Sequence, residues 1–459
     1  MRRSYCAIVS QQDHNWTFLT CREHVELAYA FYQAAATSQQ HTEATQELLG
    51  RMGLSSCADL QAGKVEPGEM GPVGLSGGQH RRLSLAVAIA KKPALLIADE
   101  PTSGLDAAAA AGIMKAIRDL ASFSRVAVLC TVHQPSASIL DLIDNLLILT
   151  KGCPVYNGAA RELVNYASAL GKPAPLGVSI SEHMLNLVNA DFASDAEVDK
   201  ILDAWRKQRP PQPVVSRAAL PPEPVRASFA RQAKLLFIRH ALKLMPRDPL
   251  IFIAIAIMSC MDISWVGIYF WNQLRTDDQR RASATLNFSI NGFALPMMYN
   301  LFYTIGISSE RLRVKREISN AQYSVALYVL ITTAIMIPVS LLTGFLTSAL
   351  VYLWGDFHWG AYAYQSIVVG ASGFYCLSLA QLCGWLLGTT TGPMAFSIIM
   401  SLAFSTYSQT AAHYQHTATA RCAAAPSVIV HACCMIRCKL TCARRSPAVS
   451  LLLKPALIS

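Results

Sequence analysis

Two hydrophobic rhythms divide this chain. In its first half the apolar positions come in short runs, Ala94–Ala98, Val126–Thr131 and Leu146–Thr150, each bounded by polar or turn residues. Runs of this length read as buried strands. Helical segments such as Ala107–Leu120 separate them. That alternation predicts an α/β region with a largely parallel sheet covered by helices. A last piece, LTKGCPVYNG, predicts a turn at Lys151-Gly152 between two strands.

The rhythm changes after the stretch RPPQPVVSRAALPPEPVR (209–226), a linker by its proline content. Ser228–Pro246 is basic and partly amphipathic. Leu235, Ile238, Leu242 and Met245 share one helical face, with Arg239, His240 and Lys243 opposite. Such a helix suits a cytoplasmic membrane surface. Five apolar stretches follow, 249–271, 285–307, 323–354, 367–388 and 392–408. A spanning helix needs ~20 residues. The third stretch has length for extra turns or a tilt, and the fifth is marginal. The expected organisation is an α/β domain over 1–205, a linker over 206–227, a connecting helix over 228–247, an all-α transmembrane domain over 248–408 and an atypical Cys-rich tail over 409–459.

Composition agrees with a membrane-embedded part: 53% of the residues are hydrophobic and only 15% charged. The net charge of +10 points to an anionic membrane face rather than nucleic acid, because the basic residues cluster beside apolar runs. Arg231, Lys234, Arg239, Lys243 and Arg247 precede the first span, and SERLRVKREIS lies between the second and third. Both are expected to be cytoplasmic. The loop NQLRTDDQRRAS argues weakly the other way, with three Arg against two Asp. Thirteen Cys without paired spacing argue against a disulfide framework. Cys433, Cys434, Cys438 and Cys442, with His431, lack the spacing of a structural zinc site. Asp262 inside the first span is costly there, and it sits near a headgroup, is paired, or lines a substrate path. Asn287 and Asn291 share a face of the second span, where they line a cavity or, the favoured reading, bridge helices.

The chemistry concentrates in residues 75–106, LSGGQHRRLSLAVAIAKKPALLIADEPTSGLD. Ser76, Gly77, Gly78 and Gln79 read as a phosphate-touching turn opening a helix, whose glycines let backbone N–H groups approach an anion. An apolar strand then ends in Asp99-Glu100, and a tight turn ends in Asp106. The segment resembles the signature motif, Walker B strand and D-loop of ABC ATPases. Thr131-Val132-His133-Gln134-Pro135-Ser136 resembles their switch histidine. Val9-Ser10-Gln11-Gln12-Asp13, with Leu19-Thr20-Cys21-Arg22-Glu23, resembles their Q-loop and the entry to their helical subdomain.

The resemblance implies ATP and Mg²⁺ as cofactors. Asp99 and Gln11 become candidate Mg²⁺ ligands, since hard cations prefer oxygen. Glu100 becomes the general base that polarises the attacking water. His133 would contact the γ-phosphate and stabilise developing charge. Ser76, Gly77, Gly78, Gln79 and Asp106 complete the nucleotide-contacting set.

The order of an ATPase half before a membrane half narrows the resemblance. TVHQPSASILDLIDNLLILTKGCPVYNGAARELVNYASALG and Ser309-Glu310-Arg311 with Lys315-Arg316-Glu317, Asn320 and Tyr323 look like the G subfamily of ABC transporters, the white and pleiotropic-drug-resistance type, over residues 5–408. This implies a multi-pass half-transporter with a cytoplasmic nucleotide domain in a plasma or vesicle membrane. It would form a homo- or heterodimer with another half-transporter, touch membrane lipid and export hydrophobic small-molecule cargo such as lipids or sterols. G-x-x-x-x-G-K-[ST] is absent from these 459 residues: Gly63-Lys64 and Gly171-Lys172 are the only Gly-Lys pairs. The family pattern therefore predicts a start truncated just before the Q-loop, apolar sheet surface left open, and a misread tail in place of a sixth span. Two other readings are a membrane partner that supplies only the signature half of a composite ATP site, and a soluble ABC ATPase, which the apolar spans oppose.

Overall fold

The computed structural model describes residues 5–63, 74–189, 194–208, 227–244 and 310–355, and parts of 360–399. The chain forms two compact units. One joins Met1–Leu235 with Lys315–Val325, and the other joins Leu236–Val314 with Ala326–Ser459. The spans predicted at 249–271 and 285–307, with Asp262, Asn287 and Asn291, lie outside the described residues. So do the Pro-rich stretch 209–226, the tail 409–459 and almost all of 392–408.

In the first unit the elements run β1 (Cys6–Val9), α1 (Cys21–Tyr32), α2 (Ser38–Arg51), α3 (Gly77–Ile89), β2 (Leu95–Ala98), α4 (Ala107–Ser124), β3 (Ala127–Cys130), α5 (Ala137–Leu140), β4 (Asn145–Thr150), β5 (Cys153–Ala159), α6 (Leu163–Ala169), α7 (Ile180–Val188), α8 (Asp195–Gln208) and α9 (Phe229–Phe237). Strands β1, β2 and β3 form a parallel sheet in that order. The run Leu146–Thr150, read as a strand that enters a turn at Lys151-Gly152, pairs antiparallel with β5 in a sheet separate from the parallel one. The reason is the two-residue turn between them. Lys151 (φ 45°) and Gly152 (φ 74°) are both left-handed, the backbone that closes a tight hairpin.

Each sheet has its own core. The row Ala7, Leu96 and Val128 and the row Val9, Ala98 and Cys130 lie on the covered face, and Leu83, Leu85, Ile113, Met114 and Ile117 from α3 and α4 pack in the same core. The alternate row is open: Ile8 is 40% and Leu129 57% exposed, with Ile97 between them in register. The hairpin packs on α6, α7 and α8 through Val155, Leu163, Met184 and Val198, with Tyr156, Tyr166 and Trp205 in mutual ring contact.

Caps explain where the helices begin. Thr20 and Glu23, Thr37 and Gln40, and Ser76 and Gln79 each form a reciprocal capping box, satisfying backbone donors that a helix start leaves open.

The chain boundaries differ from the sequence reading, most of all in the span expected at 367–388, whose helix begins at Tyr362. Helix α8 carries the first region to Gln208, past 205. Ala227, assigned to the linker, is buried, and its N–H donates to the Phe31 carbonyl at 3.1 Å. The long apolar helix starts at Val325 rather than 323, because Tyr323 is buried in the first unit: its ring packs on Phe31 and its hydroxyl donates to Glu317.

In the second unit, Val325–Leu346 (within the helix Val325–Gly355) and Tyr362–Leu387 are long and apolar enough to cross a membrane. They pack antiparallel. Gln381 Nε2 donates to Thr332 Oγ1 at 3.0 Å, Tyr328 meets Trp385 edge-on, and Tyr362 donates to the Phe345 carbonyl at 2.8 Å. Gly344 is required at the crossing, since a Cβ there would stand 2.5 Å from the Ser366 carbonyl oxygen and 2.6 Å from the Gly370 nitrogen. Of the apolar face expected on the connecting helix, Leu235 and Ile238 lie among the residues whose side chains are described. Leu236, Arg239 and His240 are buried, while Leu235 and Ile238 are only partly so. The helix becomes a π-helix over Ile238–Leu244, and the His240 ring packs edge-on against Tyr328.

Candidate functional site

The carboxyl ends of adjacent parallel strands form a natural rim for ligands. Here β1 leads into Gln11, β2 into Asp99-Glu100 and β3 into Thr131, so the sheet order places these three ends side by side. Gln11 Nε2 donates to Glu100 Oε2 at 2.8 Å and lies 3.5 Å from Ser103 Oγ. Thr131 Oγ1 donates to Asp99 Oδ1 at 2.7 Å and accepts from the Glu100 N–H at 2.8 Å. Glu100 holds a left-handed backbone (φ 43°), uncommon for a side-chain-bearing residue. Its two backbone bonds, Thr131 Oγ1 to its N–H and the Ser103 N–H to its carbonyl, hold it there.

The turn after Glu100 closes through Gly104 (φ 73°) and delivers Asp106 to the start of α4. Asp106 is the N-cap, accepting from Ala109 N at 2.8 Å. Its side chain has a structural task at least. His133 stands exposed beyond β3, and Gln134 after it is left-handed (φ 49°). The structure does not bring His133 into the hydrogen-bonded cluster of Gln11, Asp99, Glu100 and Thr131.

Ser76 and Gln79 are used by α3 itself: Ser76 Oγ accepts from the Gln79 N–H, and Gln79 Oε1 accepts from the Ser76 N–H at 2.8 Å. Among the described residues, a Cβ on Gly77 would stand 3.7 Å from Leu105, and one on Gly78 would meet nothing within 4 Å. Neither glycine is demanded by crowding among those residues. Their N–H groups open a helix of 13 residues toward solvent, the geometry that receives an anion.

Among the described residues, no group of three or more His, Cys, Asp or Glu side chains could hold a metal alone. The donors fit Mg²⁺, which keeps several waters and takes one or two carboxylates plus phosphate oxygens. Asp99 offers the carboxylate oxygen not engaged by Thr131, and Gln11 offers its amide oxygen, its nitrogen being turned to Glu100.

Sequence reasoning missed how the site is supported. Thr131 was legible only as a motif member, yet it holds both acids. The segment 315–325 was legible as a family pattern before a span. It packs into the first unit: Asn320 hydrogen-bonds both backbone groups of Ile8, Lys91 Nζ donates to the carbonyls of Cys6 (2.6 Å) and Asn320 (2.8 Å), and Trp16 Nε1 donates to Glu317 at 2.8 Å.

Residues 1–103 match the ABC transporter family model, and residues 231–417 match the ABC-2 type transporter model. ABC transporter G family member 7 of Arabidopsis thaliana is 28% identical over 370 residues, covering 75% of this chain and 50% of that protein. ABC transporter G family member 13 of the same plant is 35% identical over 187 residues, 40% of this chain and 27% of that protein. Human ATP-binding cassette sub-family G member 8 is 35% identical over 193 residues, 42% of this chain and 28% of that protein. The chain spans between about a quarter and about half the length of these three relatives.

Proposed function

The chain belongs to the G subfamily of ABC transporters, and we propose that it works as one half of a two-subunit exporter that spends ATP to move hydrophobic cargo. Two nucleotides would lie between the nucleotide domains of two half-transporters. Each would rest on a phosphate loop of one subunit and face a signature turn, here Ser76-Gly77-Gly78-Gln79, of the other. Closing and reopening of that sandwich would rock the membrane halves.

The observation that carries this reading is the hydrogen bond from Gln11 to Glu100 at the rim of the parallel sheet. It couples a candidate base to a residue on the loop after β1, in a chain that also holds two helices able to cross a membrane. Glu100 suits a general base: its carboxylate is fixed by Gln11 and its backbone by Thr131, so little reorganisation is left when water is polarised. Asp99 and Gln11 would hold Mg²⁺, which neutralises phosphate charge. His133, exposed on the turn after β3, has room to swing to a γ-phosphate. Two long apolar helices packed through small residues suit a lipid environment.

The experiment is ATP-dependent uptake of a fluorescent sterol or phospholipid into inside-out vesicles that hold this chain with a phosphate-loop-bearing G-type half-transporter. Uptake lost with Gly78→Ala, at equal amounts of protein, supports the reading, and uptake indifferent to that change contradicts it. Uptake that needs Gly78 but not Glu100 would mean that the chain supplies only the signature half.

A further inference from the structure

Arg81 lies between the signature turn and Gln11. It sits on α3 two residues after Gln79 and is 4% exposed. Its Nη1 donates to the Ser10 carbonyl at 2.7 Å, its Nη2 donates to the Gln11 carbonyl, and Nη1 stands 3.4 Å from Asp13 Oδ1. One rigid fork from the signature helix therefore grips two adjacent carbonyls and forms an ion pair with an acid two residues further on. Gln11, held by its backbone in this way, turns its side chain toward Glu100.

The chemistry of the fork matters. A guanidinium presents its N–H donors in a fixed plane that suits two adjacent carbonyls of one loop, whereas an ammonium is a compact charge on a flexible stem whose donors are not fixed in a plane. Asp13 is mostly enclosed. Burial pushes its carboxyl above the usual carboxylate range, and Arg81 is the foremost of the neighbours, with Ser84, Arg316 and His80, that pull it back. Arg81 thus satisfies two carbonyls and compensates a desolvated acid at once. The two residues from Gln79 to Arg81 amount to about 3 Å of helix rise. A displacement of the first turn of α3 reaches the guanidinium almost undiminished.

We propose that Arg81 is a positioning residue that fixes the backbone of Gln11 from the signature helix, so that contact at Ser76–Gln79 and the placement of Gln11 against Glu100 move together. The positioning belongs to the single chain. The coupling to nucleotide rests on the transporter reading above. In a dimer, that coupling would let a nucleotide touching the signature turn bias the Q-loop of the same subunit, and through it the other nucleotide site.

The test is fluorine NMR on the full chain in nanodiscs, with trifluoromethyl-phenylalanine placed at position 12, exposed next to Gln11, or at position 200 on α8 as a control. Without nucleotide, Arg81→Lys should narrow and shift the position-12 resonance toward that of a mobile loop and leave the position-200 resonance unchanged. Asp13→Asn keeps both carbonyl acceptors and should leave position 12 close to wild type. With MgATP and a phosphate-loop-bearing partner subunit, the position-12 resonance should shift in the wild type and not in Arg81→Lys.

An unchanged position-12 resonance in Arg81→Lys overturns the proposal. So does a change at both probes, which would make Arg81 a general support of the fold, and so does a loosening by Asp13→Asn equal to that of Arg81→Lys. If MgATP moves nothing in the wild type, the transporter reading fails, while the nucleotide-free spectra still decide the positioning.

Discussion

The carboxamide of Asn320 closes the outer edge of β1, accepting the Ile8 N–H through Oδ1 at 2.8 Å and donating through Nδ2 to the Ile8 carbonyl at 3.0 Å. A side chain here does what a neighbouring strand would do for an edge. The strand it grips runs directly into Gln11. Asn320→Leu removes both bonds and leaves two backbone groups unpaired, which should cost about 1–3 kcal/mol. Asn320→Asp keeps an acceptor for the Ile8 N–H but no donor for its carbonyl, and should fall between. Pulse proteolysis of the full chain in urea, scored on fragments of the first unit, checks the order.

Glu317 is buried and receives Trp16 Nε1 on one oxygen at 2.8 Å and the Tyr323 hydroxyl on the other. Trp16→Phe and Tyr323→Phe each remove one donor from the same carboxylate. Each should cost about 1.5–3 kcal/mol, the range for a bond to a charged group. Because the acceptor is shared, the double variant should depart from the sum of the singles by at least about 0.5 kcal/mol. Additivity within error would show that the two bonds do not work as a unit.

His24 is buried with its Nε2 accepting the Trp16 N–H at 2.9 Å and its Nδ1 against the Thr20 carbonyl at 2.8 Å. Burial pushes its pKa down from 6.5 to about 4. The unfolded chain therefore takes up this proton first as pH falls. The neutral histidine contributes its full stability above pH 6.5, and that contribution is lost progressively as pH falls toward 4, up to roughly 3 kcal/mol. His24→Gln should be less stable at pH 7.5 and should show a shallower loss between pH 6.5 and 4. Urea midpoints across that window check this, and a slope equal to that of the wild type would contradict it.

Thr131 is the shared support of the two acids. Thr131→Val removes the donor to Asp99 and the acceptor for the Glu100 N–H together, while Thr131→Ser keeps the hydroxyl. The valine variant should lower ATP turnover in the assembled dimer by roughly 100-fold, the usual loss when one preorganised group goes. The serine variant should stay within about threefold of wild type, since its hydroxyl keeps both bonds at some cost in fixed rotamer. Steady-state turnover at saturating MgATP checks the pair.

The short strands were legible because they depend on neighbours in sequence. Ala94–Ala98 became β2 nearly as written, and the glycine turn at Ser76–Gln79 marked the start of α3, though not the capping box that closes it. Lys151-Gly152 announced a hairpin, but that β4 stands in a sheet separate from the parallel one depends on which strands meet and not on their composition. In the site, Gln11, Asp99 and Glu100 were legible from motif order. Asn320, Glu317 and Arg81 were not, because their partners lie 312, 301 and 71 residues away in the chain. The burial of Arg239 and His240 was not legible either, because a 3.6-residue periodicity marks an apolar face and says nothing of a charged residue enclosed beside it.

The central claim is that the turn Ser76–Gln79 contacts a nucleotide held by another subunit, and Gly78 isolates it. A Cβ at Gly78 would meet nothing within 4 Å among the described residues, and alanine in a helix is favoured over glycine by about 0.5–1 kcal/mol. Gly78→Ala should therefore leave the thermal midpoint unchanged or slightly raised. In a dimer with a phosphate-loop-bearing half-transporter, the same variant should lower MgATP turnover at least tenfold, because the methyl group occupies the path of the incoming phosphate. A Gly78→Ala dimer with wild-type turnover would contradict the account.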